Sequence, residues 1–155
     1  MKYYFLDKWL LPEAQVRTKV VAYGSEMAVM ALQGEHLFCP GSVGDNHIVD
    51  LIIQEGELTL TANGVRMTLQ APAYIDFIGS KIWSWQDLST SPDFKGRMFG
   101  MTEPFFREMI DMLNVKIGNR LFDYMQRPFW SLGPEDVCRL CRLLDIISDT
   151  MENPC

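Results

Sequence analysis

Apolar and polar positions alternate along the chain from His47 to Leu69. His47, Val49, Leu51 and Ile53 share one face of a first run. Leu58 and Leu60 share a face of a second, and Val65, Met67 and Leu69 a face of a third. A period of two is the mark of strands with one buried face. Asn63-Gly64 lies between the second and third runs, and this pair takes the positive φ angles of a type I′ hairpin turn at little steric cost. Breaker-rich turns then separate Tyr74–Ile78, Ile82–Leu88 and Phe94–Met101. Upstream, residues 1–24 mix strand-like and irregular signals, with a weak edge strand over Val16–Tyr23 and an apolar run at Met27–Leu32. Short strands at this spacing predict a sandwich or barrel, apolar inside and wet outside.

After Met101 the period changes. Thr102 suits an N-cap and Glu103-Pro104 a first helical turn. Phe105, Phe106, Met109, Ile110, Met112 and Leu113 follow at helical spacing, and a weaker helix is expected near Lys116–Gln126. Arg127–Pro134 reads as an extended connector. Pro134-Glu135-Asp136 opens the last helix with proline early and two carboxylates at the positive dipole end. Val137, Leu140, Leu144, Ile147 and Met151 then fall three and four apart, the steps of a short coiled-coil seam, which predicts a homodimer through this helix. The reading is a single domain, 1–155: a β-barrel over 1–101 and a helical subdomain over 102–155.

Composition narrows the function. The formal net charge of −6, with the basic residues scattered, argues against direct nucleic-acid binding, which leans on Lys and Arg. No apolar run reaches the ~20 residues of a membrane span, and the N-terminus does not read as a secretion signal. Cys138 and Cys141 form a C-x-x-C spacing inside a helical pattern with no second ligand pair, so they read as helix residues of a protein in a reducing cytoplasm. No nucleophile elbow or phosphate loop is present. Asp45 and Asp50 read as turn and rim charges. Trp83 and Trp85, two apart on one strand, can stack on a flat ligand or belong to the core, and Tyr74 and Asp76 share a face that can bring polar groups to the barrel mouth.

Three segments carry a family resemblance: Leu51–Leu60, Ser91–Phe106 and Arg127–Leu144. In this order the chain resembles the N-terminal half of an AraC-type transcriptional regulator, a cupin-like double-stranded β-helix barrel followed by two or three helices. The resemblance implies a non-enzymatic, cytoplasmic sensor and dimerisation domain. Its small-molecule effector, of unknown identity, would meet His47, Tyr74, Asp76, Trp83 and Trp85. DNA would be reached through a helix-turn-helix half downstream of Cys155. The rivals are a metal-dependent cupin enzyme and a cyclic-nucleotide sensor. The first needs two histidines one residue apart, a glutamate and a later histidine. Here Gly41 precedes His47 at the motif's spacing, but Val49 stands at the second ligand position and no histidine follows. The second needs a Gly-Glu pair and an arginine that Ala71–Lys81 lacks. No cofactor is expected. Elemental analysis of the purified chain should find no stoichiometric transition metal, because a site needs at least three protein ligands; about one iron, zinc or manganese per chain would promote the enzyme reading.

Overall fold

The computed structural model describes residues 4–43, 47–77, 83–113 and 128–153. Two antiparallel sheets form the body. The strands are β1 (Lys19–Tyr23), β2 (Met27–Gln33), β3 (Ser42–Val43), β4 (His47–Glu55), β5 (Glu57–Ala62), β6 (Val65–Gln70), β7 (Ala73–Asp76), β8 (Trp85–Thr90), β9 (Lys95–Thr102) and β10 (Phe129–Ser131). One sheet has the order β1-β2-β9-β4-β7-β10, the other β3-β8-β5-β6. The helices are α1 (Tyr4–Trp9), α2 (Pro12–Arg17), α3 (Glu103–Leu113) and α4 (Pro134–Glu152). The fold is mainly β with C-terminal helices, as expected; the helix expected near Lys116–Gln126 lies outside the described residues.

The hairpin forms as its sequence dictates. Asn63 and Gly64 both have positive φ, 48° and 80°, and Ala62 pairs with Val65 across the turn. Leu58 and Leu60 point inward and are fully buried. Opposite them, Met67 and Leu69 pack only partly against the core, and Val65 is exposed, because β6 is a sheet edge. The weak strand signal over Val16–Tyr23 resolves into a helix end and then β1, which is an edge strand.

The N-terminal segment differs from the expectation of irregular or strand-like chain. It forms α1 and α2, which close on the barrel core through Leu6, Trp9, Leu10 and Ala14. Trp9 is 1% exposed and meets Phe77 edge-on, with ring centroids 4.8 Å apart. Main-chain bonds fix the segment: Leu11 N–H donates to Leu37 O at 2.8 Å and Cys39 N–H to Trp9 O at 2.8 Å. Each helix is six residues long, too short to show a helical period in sequence.

The middle of the six-stranded sheet is covered on both faces. Its inner face gives Ala28, Met30, Val49, Leu51, Ile53, Ile75 and Met98 to the core between the sheets. Its outer face carries Val29 and Ile52 against Val137, Cys141 and Leu144 of α4, with Phe99 and Tyr74 packed alongside. Arg97 on β9 donates to Asp145 of α4 at 2.7 Å, an exposed pair that adds at most about 1 kcal/mol. The hold of α4 on the sheet is therefore mainly apolar.

Gly56, between β4 and β5, shows how little slack the turn has. Its φ is +76°, and a Cβ there would lie 2.8 Å from Phe94 N and Cα and 2.5 Å from Ser91 Oγ. Gly56→Ala should destabilise the chain by about 1–3 kcal/mol, read as a lowered urea midpoint with unchanged slope. An unchanged midpoint would show that this turn relaxes freely.

Candidate functional site

Expected ligand residues divide between the core and the outer face of the six-stranded sheet. Trp85 points inward and is 2% exposed. Trp83 lies just before β8, stacked on Trp85 with centroids 5.2 Å apart and rings 12° from parallel. Phe77 meets Trp85 edge-on at 5.3 Å, and Phe129 meets Trp83 at 6.1 Å. These rings and Trp9 form an aromatic cluster that is part of the core. His47 is half-buried at the start of β4, with the inward parity of Val49.

Tyr74 and Asp76 differ from the expectation. Along β7 it is Ala73 and Ile75 that join the core, with Phe77 after them, so Tyr74 and Asp76 stand on the outer face rather than at a barrel mouth shared with the tryptophans. Tyr74 stacks on Trp130 of β10 at 4.7 Å, with rings 16° from parallel. A cavity of about 430 Å³ opens beside them, bounded by Leu132 and by Asp136, Arg139 and Leu140 of α4.

The chemically unusual feature is a residue first read as a rim charge. Asp50 sits in the middle of β4, directly opposite Asp76 of β7 and Phe99 of β9. Phe77 N–H donates to Val49 O at 2.9 Å, so Val49 and Phe77 are a hydrogen-bonded pair and the next pair, Asp50 and Asp76, is a non-hydrogen-bonded one. Such pairs hold Cα atoms about 4.5 Å apart, with their side chains in contact. Asp50 Oδ1 and Asp76 Oδ1 are closed to water and, among the described residues, have no hydrogen-bond partner. Tyr74 Oη donates to Asp50 Oδ2 at 2.8 Å.

Two facing carboxylates in such a place disfavour each other's ionised form. Burial first, then the charge of Asp50, then the hydrogen bond to Asp50, push the Asp76 carboxyl up to about 9. Burial raises Asp50 too, while hydrogen bonds from Asp76 and Tyr74 favour its charged form. Burial thus pushes both carboxyls toward the neutral form, and the facing charge adds to this at Asp76. The sequence pattern gave no sign of this pair, because it exists only in the β4–β7 register.

The dimer residues also fall differently. Val137 and Leu144 are buried against the sheet, and Leu140 and Met151 are partly buried in the same cluster. The seam expected to meet a partner is largely the helix's docking face within the chain. The exposed apolar residues of α4 are Leu143 (56%), Ile146 (57%) and Ile147 (37%). Cys141 is buried and Cys138 exposed, so the C-x-x-C pair straddles the helix boundary between core and surface. Among the described residues no group of three His, Cys, Asp or Glu is placed to hold a metal, and no helix is long and apolar enough to cross a membrane.

No family model and no curated protein matches this chain. Among solved structures it is similar to a cupin 2 conserved barrel domain protein from Salinispora arenicola, at 11% identity and a TM-score of 0.42, over 61% of this chain and 82% of that one. It is also similar to the cupin domain of Cnp3 from Schizosaccharomyces pombe, at 8% identity and a TM-score of 0.42, over 64% and 71%. A third is a predicted oxalate decarboxylase from Thermotoga maritima, at 20% identity and a TM-score of 0.33, over 60% and 75%.

The carboxyl pair makes a signed prediction. In the unfolded chain Asp76 titrates near the ordinary value of about 3.9. Folding therefore takes up a proton at neutral pH, and the wild type loses stability as pH rises from about 4 toward about 9. Asp76→Asn removes that uptake. It should stabilise the chain by about 1–3 kcal/mol at pH 8, with the gain shrinking to nothing below about pH 4. Chemical denaturation at both pH values checks this; a gain independent of pH would contradict it.

Proposed function

We propose that this chain is the effector-sensing and dimerisation part of a bacterial transcriptional regulator, coupling a small molecule in or beside the barrel to a DNA-binding half outside this sequence. One observation carries the reading: α4 is docked on the outside of the strands that line the core. Leu51 and Met98 face inward, while the neighbouring Ile52 and Phe99 face the helix layer. A ligand that shifts β4 or β9 from within must shift the seat of α4. That is the differential contact a population shift requires. The aromatic content of the interior favours a flat, largely apolar effector. No step here is catalytic.

Self-association belongs to the same proposal. Leu143, Ile146 and Ile147 leave an apolar strip on the solvent side of α4. Each fully buried Leu or Ile contributes roughly 1.5–3 kcal/mol, enough for a micromolar dimer after association costs.

Light scattering at about 50 μM should give the mass of two chains. Leu143→Glu with Ile146→Glu should give a folded monomer. Leu144→Glu should instead lower thermal stability, because that side chain is buried within the chain. A monomer mass for the unmutated protein at that concentration would refute the dimer. A metabolite library that leaves tryptophan fluorescence unchanged throughout would count against the sensor.

A further inference from the structure

The Asp50–Asp76 pair is placed where the edge of the six-stranded sheet is assembled. Strand β7 lies between β4 and the three-residue β10, and β10 has no other neighbour in the sheet order. Asp76 binds on both sides at once. Its side chain faces Asp50 of β4, and its N–H donates to Pro128 O, at the entry of β10, at 2.8 Å. Beyond it, Tyr74 gives its hydroxyl to Asp50 and its ring to Trp130 of β10. Beyond their main-chain pairing, β4, β7 and β10 are thus linked through one carboxyl pair and one tyrosine.

Among the described residues, no Lys or Arg is paired with either carboxyl. Phe99 is its neighbour on β9, and Arg97 of the same strand is turned to Asp145 of α4. On α3, Glu103 and Arg107 pair with each other at 2.5 Å. Among the described residues, the groups that act on either carboxyl are the other carboxyl and Tyr74. His47, on β4, has the inward parity. A shared proton lets two facing carboxyls stand together without repelling one another.

We propose that the Asp50–Asp76 pair is a proton-dependent clasp: while it shares a proton it holds β7 and β10 to β4, and when the proton leaves, this edge of the sheet loosens ahead of the rest of the barrel. This does not depend on the regulator reading. The loosened edge would carry Tyr74 and Trp130 with it, and so one wall of the cavity beside α4.

Hydrogen–deuterium exchange on the full chain, corrected for the intrinsic rate at each pH, tests this. Between pH 6.5 and pH 9.5, wild-type amides over 73–77 and 129–131 should lose at least about tenfold in protection. Amides of the β5–β6 hairpin, in the other sheet, should change little. Asp76→Asn keeps a hydrogen-bond donor toward Asp50 and removes the second charge, so its edge should stay protected across this range. Asp50→Asn is the second variant and should behave alike. Equal loss of protection in the wild type and a folded Asn variant would overturn the clasp. So would a loss shared equally by the hairpin, or failure of both variants to fold, since the clasp requires only that one of the two groups be neutral.

Discussion

The structure depends on the burial of one sheet from both sides. Strand β4 makes this plain: Leu51, Ile52 and Ile53 are consecutive and all fully buried. Alternate residues go to the core between the sheets, and Ile52 goes to α4. A strand with one wet face would place a polar residue at position 52. Because it does not, α4 is required to seal the sheet: without it, Ile52 and Val29 would meet water. Burying residues of this size contributes about 1.5–3 kcal/mol each, against at most about 1 kcal/mol from the exposed Arg97–Asp145 pair. Apolar contact thus decides where the helix sits, and the ion pair refines it.

Asp50 is the exception on that face, and the exception has consequences. Two positions along β4 from a fully buried isoleucine, it faces a second acid across the strand pair. An amide or an apolar residue there would seal the sheet at lower electrostatic cost. Burial and the facing charge of Asp50 raise the Asp76 carboxyl, so folding favours its protonated form. The stability of the sheet edge is thereby linked to pH, through a site distinct from the apolar contacts that dock α4.

What the sequence made legible follows the range of the signal. The β5–β6 hairpin was readable because its information is local: alternation on each side and an Asn-Gly pair with positive φ at both residues. The change of period at Thr102 was readable for the same reason, and Thr102 Oγ1 accepts the Phe105 N–H at 3.3 Å as a cap should. The last helix was legible as a helix but not in its facing. Val137, Leu140 and Leu144 make an apolar stripe whether a sheet or a second chain covers it, and period alone does not distinguish the two. The acid pair was not legible at all. Asp50 and Asp76 are far apart in sequence, and one residue's slip in the β4–β7 register would separate them. The burial of α1 and α2 was hidden too, since two helices this short owe their form to tertiary packing.

The central claim is that the barrel and α4 are joined energetically through the outer face of β4. A double-mutant cycle between Ile52→Ala and Leu144→Ala tests it most directly. Each change alone should cost about 2–5 kcal/mol. If the two side chains share one cluster, as the structure has them, the second truncation should cost less once the first is made, with a coupling of about 0.5–3 kcal/mol. Losses that add to within about 0.3–0.5 kcal/mol would mean that β4 and α4 do not sense each other, and would contradict the proposed coupling of barrel to helix.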